Sequence, residues 1–397
     1  MINRRRFAVQ GAAEFTALAA TMMPAGALAQ SPARPPSPDV LKVGPTRRSK
    51  TIRQASLQAR HGATIEVDAG DYIGDVANWE HDDLTLRAVG GRVRLLADGV
   101  TEGRKGIWVI RAKRMLVEGF DFEGATVPDR NGAGIRFERG SLTVRDCRFL
   151  RNQMGLLTNN DPDAELTVEN CEFAYNLRQD GHNHNLYVGR IARLSVSSSY
   201  FHHAHAGHLL KTRAAWNLIQ YNRLTDEAGG TASYELEFPD GGVAIVVGNI
   251  IAQSMETENR HLISYGAESY HWPRNALYLS HNTLINPLPW GGIYLRVTPG
   301  TTAITAINNL LMGLGDLGST VHGDYRNNPH ASATDFSSLA TCDCGLRIRS
   351  TLTGSAIDAG SVDGIDLRPR FEYQHPRDKR SLTRPAHNPG AIQSQVL

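Results

Sequence analysis

Apolar and polar residues alternate along most of this chain, and the alternation comes in short runs that repeat. LVEGFDF begins at 116, LTVRDCRF at 142, LTVENCEF at 166, LSVSSSYF at 194, LIQYNRL at 218, AIVVGNII at 244, LYLSHNTL at 277 and ITAINNLL at 304. Successive copies start 26, 24, 28, 24, 26, 33 and 27 residues apart. Each alternates with period two, the signature of a strand, where a helical solenoid would show period 3.6. A second set of short strand-like runs falls between the copies: AGIRFE (133–138), MGLLTN (154–159), HNLYVG (184–189), GHLLKT (207–212), SYELEF (233–238), HLISYG (261–266) and GGIYLR (291–296). Two or three strands in every ~25 residues, with no helix-length segment between them, predict an all-β chain wound as a parallel β-helix. Its rungs would stack about 4.8 Å apart.

Stacking gives a register to check. Aligned on the final apolar residue, one position reads Cys147, Cys171, Ser199, Asn222, Asn249, Asn282, Asn309, which suits an internal ladder of small hydrogen-bonding side chains. Two residues on, Phe149, Phe173, Phe201, Leu224, Ile251, Leu284 and Leu311 would form an inward apolar stack. That burial supplies about 25 cal/mol per Å². Residues 51–115 (ATIEVDAGDY, LTLRAVGG, IWVI) read as less regular early rungs behind an N-terminal cap. Beyond 314, SAIDAGSVDG and NPGAI read as final turns and a C-terminal cap. One domain, 51–397, is expected. Cys147 and Cys171 stack one rung apart, within reach of a disulfide or as two free thiols; Cys342 and Cys344 could close only a strained small ring.

Composition adds compartment. Asn3-Arg4-Arg5-Arg6-Phe7, a stretch of small and apolar residues and Ala27-Leu28-Ala29 match a twin-arginine signal peptide over 1–29, followed by a Pro/Ser/Arg-rich, flexible lead-in at 30–50. A periplasmic or secreted protein is expected, with no segment apolar enough to span a membrane. The formal charge is +2, all of it contributed by residues 1–29, so no basic stripe argues for nucleic acid. A monomer is expected.

Candidate chemistry concentrates between Gly181 and Glu237, which holds six of the fifteen histidines: His182, His184, His202, His203, His205 and His208. Lys211 and Arg213 are two apart, as are Glu235 and Glu237. On later rungs Tyr265, Glu268, His271, Trp272, Trp290, Tyr294 and Arg296 suggest a continuing groove, since aromatic faces stack on sugar rings. Each group also has a plainer reading. Lys211 and Arg213 would serve as solvated charges, HHAHAGH (202–208) as hydrogen-bonded or metal-binding imidazoles, and the glutamates as partners of the cations. Parity along SYELEF puts Tyr234 in the core and Glu235 outside.

Rung pattern, asparagine ladder and end cap together resemble the pectate-lyase-like superfamily of right-handed parallel β-helix proteins, over most of 51–395. Leu210-Lys211-Thr212, followed by Asn217 and YNRL (221–224), resembles the lysine rung of β-helix lyases such as alginate lyase and chondroitinase B. The resemblance implies a lysine base at Lys211, an arginine acid one rung on, and Ca²⁺ neutralising the substrate carboxylate. This chain departs from it: Glu235 is expected where that arginine would fall, and Ala206 and His208 where acidic calcium ligands would be. Calcium therefore stays a candidate cofactor without an assigned site.

Elimination from a uronate needs its carboxylate neutralised, a base for the neighbouring proton and an acid for the leaving oxygen. The expectation is a polysaccharide lyase acting on an acidic glycan, with Lys211, Arg213, Tyr187, His184 and His208 catalytic. Glu235, Glu237, Tyr265, Glu268, Tyr294 and Arg296 would bind substrate. The alternatives are a glycoside hydrolase using Glu235 and Glu237, a uronate epimerase, and a non-catalytic glycan-binding β-helix.

Overall fold

The computed structural model describes residues 39–177, 183–318, 321–338 and 343–394. The expected signal segment 1–29, the first part of the lead-in, His182 and Cys342 lie outside them. The described chain is a right-handed parallel β-helix, nearly all strand. One face is a parallel sheet of ten strands in chain order, from Ala77–Trp79 to Gly315–Asp316, and every second-set run lies in it.

The repeating first-set runs each make two strands. LTVRDCRF, for example, is Ser141–Arg145 and Arg148–Leu150, and these pair rung to rung with Glu165–Glu169 and Glu172–Ala174. Between the two strands the chain turns a corner through a left-handed residue. Asp146, Asn170, Ser198, Tyr221, Gly248, His281 and Asn308 have φ from 47° to 69° and form one column. Such a conformation costs a side-chain-bearing residue about 1–2 kcal/mol, least for Asn and Asp, which accounts for the polar bias of the position.

Both expected ladders are present. Phe122, Phe149, Phe173 and Phe201 stack face to face with centroids 5.0, 4.6 and 4.7 Å apart. Leu224, Ile251, Leu284 and Leu311 continue the buried column. In the polar ladder the Asn249 side-chain oxygen accepts from Asn222 N (2.9 Å) and Nδ2 (3.0 Å), while its own Nδ2 donates to Ile219 O (2.8 Å) and Asn282 Oδ1 (3.0 Å). The ladder amides of Asn222, Asn249, Asn282 and Asn309 are thereby satisfied, as burial requires. Cys147 and Cys171 are free thiols lying against backbone carbonyls, not a disulfide. A shorter second ladder, Asn152–Asn176–Asn185, props the corner that leads into the ten-stranded sheet.

The ends differ from expectation. The solenoid begins before residue 51: Val40–Val43 pairs in parallel with Thr64–Ile73, and helix Ile52–Gln58, capped by Thr51, closes the end. The C-terminal segment is no terminal cap. It runs back along the side of the solenoid, with Ile357 bonded at Asn308, Arg370 at Tyr221 and Arg377 at Asn170, then returns to place Ala391 on Thr283. This strap buries the outward-facing Val243, Ile245 and Val247, together with Ile307, under Ala359 and Leu367, which explains why AIVVGNII is apolar on both faces.

Candidate functional site

The outer face of the ten-stranded sheet collects the candidates. Strands His184–Val188, His208–Thr212 and Tyr234–Phe238 stack so that His184, His208 and Tyr234 share one column and Tyr187, Lys211 and Glu237 the next. The residue facing Lys211 on the following rung is therefore Glu237, not Glu235. His184 and His208 rings lie 4.6 Å apart, His184 stacks on Tyr187 at 5.2 Å, and Tyr234 meets His208 edge-on at 5.1 Å.

Around these rings is a charge network. Lys211 Nζ is 3.0 Å from Glu237 Oε2 and 3.0 Å from Glu268 Oε1. Arg213 donates to Tyr187 Oη (3.0 Å), Asp240 Oδ1 (2.5 Å) and Glu268 Oε2 (2.7 Å), and Arg190 reaches the other Asp240 oxygen at 2.7 Å. His208 Nδ1 lies 3.0 Å from Glu237 Oε2, out of good hydrogen-bond alignment.

Burial and partners set the protonation states. Burial penalises the Glu237 carboxylate, but His208 and then Lys211 outweigh it and pull its pKa down to about 2. Burial lowers His208 below the ordinary imidazole value, against the pull of Glu237, so the ring is neutral at pH 7. Burial alone would lower Lys211, yet Glu237 and Glu268 raise it above the ordinary lysine value. A lysine base needs neighbouring cations; this one has neighbouring anions and stays protonated.

Several expected substrate contacts lie elsewhere. Glu235 is 0% exposed, in the core. Consecutive residues Leu209–Leu210, Leu262–Ile263 and Tyr294–Leu295 all point inward, so the strands bend here and strict alternation fails. Glu235 takes the column of Leu209, Leu262 and Tyr294. Neither of its carboxylate oxygens has a hydrogen-bond partner, and burial, reinforced by Asp226, pushes its pKa well up. Tyr234, expected inside, is half-exposed on the outer face. Tyr265 and Tyr294 are fully buried, their hydroxyls donating to Gly242 O and Met312 O. Arg296 is exposed and bonds Tyr234 Oη at 3.1 Å. Asp240, 1% exposed, was missed because PDGG (239–242) reads as a turn.

A calcium ion does not fit the carboxylates present. Glu237, Asp240 and Glu268 each face cationic nitrogens, the opposite of an oxygen cage. No group of three or more His, Cys, Asp or Glu residues suited to a metal occurs among the described residues, HHAHAGH included. Clefts of about 390 and 360 Å³ lie on other faces, beside the strap and beside Asp226. No described helix is long and apolar enough to cross a membrane.

No protein-family model and no curated protein sequence matches the chain. Among solved structures it is similar to the crystal structure of pectate lyase Pel9A, with a TM-score of 0.60 at 13% identity, covering 89% of this chain and 96% of that one. A pectin methylesterase in complex with a hexasaccharide matches at a TM-score of 0.38 and 11% identity, over 74% of this chain and 93% of that one, too low to bear on the reading. The first likeness shows the fold: this chain shares the parallel β-helix of a pectate lyase.

Proposed function

We propose that the protein is an exported lyase that cleaves a uronate-containing glycan by β-elimination on the outer face of the ten-stranded sheet. The observation that carries this reading is a carboxylate held between Lys211 and Arg213, beside a neutral His208 backed by an ionised Glu237. The roles shift from those expected. Lys211 and Arg213 would hold and neutralise the uronate carboxylate, acidifying the adjacent carbon and stabilising the charge that develops there. His208, its Nδ1 turned to Glu237, would take the proton with its other ring nitrogen. Tyr187 accepts from Arg213 Nε, so its own hydroxyl hydrogen is available to the departing oxygen. The electron pair of the broken C–H bond becomes the new double bond as the glycosidic C–O bond breaks. His184 and Tyr234 would flank the sugar ring, and the substrate class is in keeping with the fold shared with a pectate lyase.

The hydrolase alternative loses its pair, because Glu235 lies in the core while Glu237 faces out. Incubation of the mature protein with a panel of acidic polysaccharides tests the proposal. The expected product carries an unsaturated uronate end, with production lost in His208→Ala. Deuterium uptake from solvent without cleavage would instead indicate an epimerase, and retention of glycan without any change would indicate a binding protein.

A further inference from the structure

Three carboxylates serve the Lys211–Arg213 pair, and they are not equivalent. Glu237 and Asp240 are almost fully enclosed, with side chains 4% and 1% exposed, whereas Glu268 is 48% exposed. Glu268 alone contacts both cations, giving one oxygen to Lys211 Nζ and the other to Arg213 Nη2. That is the bidentate arrangement a uronate carboxylate would adopt.

We infer that Glu268 is a built-in stand-in for the ligand's carboxylate, occupying the Lys211–Arg213 clamp until an acidic glycan displaces it. The inference rests on reading this face as a glycan site, but not on the reaction. When Glu268 leaves, Lys211 keeps Glu237 and Arg213 keeps Asp240 and Tyr187, so both cations remain positioned, each with a donor turned to solvent.

The following loop favours a side-chain swing over a backbone opening. Glu268 N and Ser269 N donate to Pro239 O, Ser269 Oγ to Asp240, and Trp272 Nε1 to Arg213 O, while Tyr270 Oη bonds Thr298 O. With Gly266 N donating to Phe238 O on the preceding side, the backbone is pinned on both sides of Glu268 while its carboxylate sits at the surface. The device also confers selectivity. A neutral sugar cannot replace the charge it would displace, so only an anionic ligand recovers the lost ion pairs.

The test is equilibrium binding of hexagalacturonate and hexaguluronate, measured by calorimetry in a His208→Ala background so that turnover does not intrude. Fully methyl-esterified hexagalacturonate serves as the uncharged control. Glu268→Gln is close in shape and removes the competing charge. It should tighten at least one acidic oligomer by about tenfold or more, a difference of about 1.4 kcal/mol, and leave the ester unchanged. Adding Arg213→Met should abolish the gain. Unchanged or weaker binding of both acidic oligomers, or equal tightening of the ester, would overturn the inference. A tenfold gain in this background, with wild-type protein yielding no unsaturated product from any acidic polysaccharide, would keep the clamp and reject the lyase.

Discussion

Glu235→Leu should stabilise this protein, and by more at alkaline than at acidic pH. The carboxylate sits in its column between Leu209 and Leu262, with Tyr294 beyond, and has no hydrogen-bond partner. A buried polar group left unpartnered costs about 1–3 kcal/mol. Leucine would join Leu209 and Leu262 in an apolar run, so a net gain of about 2 kcal/mol is expected near pH 8. In a chain of this size that raises Tm by roughly 3 °C. The pH dependence follows from the raised pKa. A carboxyl whose folded-state pKa lies above its unfolded value, here 4.5, contributes stability that is fully present below pH 4.5 and lost as pH rises through the folded value. Nearby Asp226, lifted by burial to about 7, acts in the same direction. The gain of Glu235→Leu should therefore shrink toward pH 4.5, and Glu235→Gln should flatten the pH dependence with a smaller gain. Calorimetric melts of the three proteins between about pH 4.5 and pH 8 decide it. A Glu235→Leu variant less stable than wild type near pH 8 would refute the assignment of Glu235 as a buried, unpartnered acid.

Three further outcomes are expected. Asn249→Ala removes the side-chain bonds to both neighbouring rungs at once, stripping the Asn222 backbone N–H of its acceptor and Ile219 O and Asn282 Oδ1 of one donor each, so a loss of about 2–4 kcal/mol should appear in denaturant melts. Lys211→Met strips a buried carboxylate of its cation, so it should both weaken glycan binding and destabilise the fold, by about 3–5 kcal/mol if Glu237 stays ionised. The pH–rate profile should keep its acidic limb below 6.5, because burial depresses His208, and its activity into alkaline pH, because Lys211 stays protonated beyond 10.5. An acidic limb near the lysine value, with activity rising as Lys211 deprotonates, that vanishes in Lys211→Met would restore lysine as the base.

The rung architecture was legible because stacking repeats the same demand at the same position. Asn222, Asn249, Asn282 and Asn309 recur since each must satisfy the next, and the phenylalanine column recurs since each buries the next. Three features escaped that logic. Two-residue periodicity assumes a straight strand; the bend at Leu209–Leu210 turns consecutive residues inward and reverses the placement of Tyr234 and Glu235. Aligning HLLKT, YELEF, HLISY and IYLRV by column would have shown Glu235 and Tyr294 sharing the Leu209 and Leu262 position, and Tyr265 sharing that of Phe238. The strap was hidden because its contacts lie far away in sequence, and only the unrelieved apolarity of AIVVGNII hinted at a covered outer face. The protonation of Lys211 depended on Glu268, a loop residue whose approach no strand pattern encodes.

The most direct test of the central claim is the ultraviolet absorbance of an unsaturated uronate end, followed while mature wild-type protein and the His208→Ala variant meet acidic polysaccharides with and without chelator. The account predicts a rise on at least one polymer, insensitive to chelator, with turnover reduced by about 10²–10⁴ in the variant. A rise that His208→Ala leaves intact, or one that chelator abolishes, would contradict it.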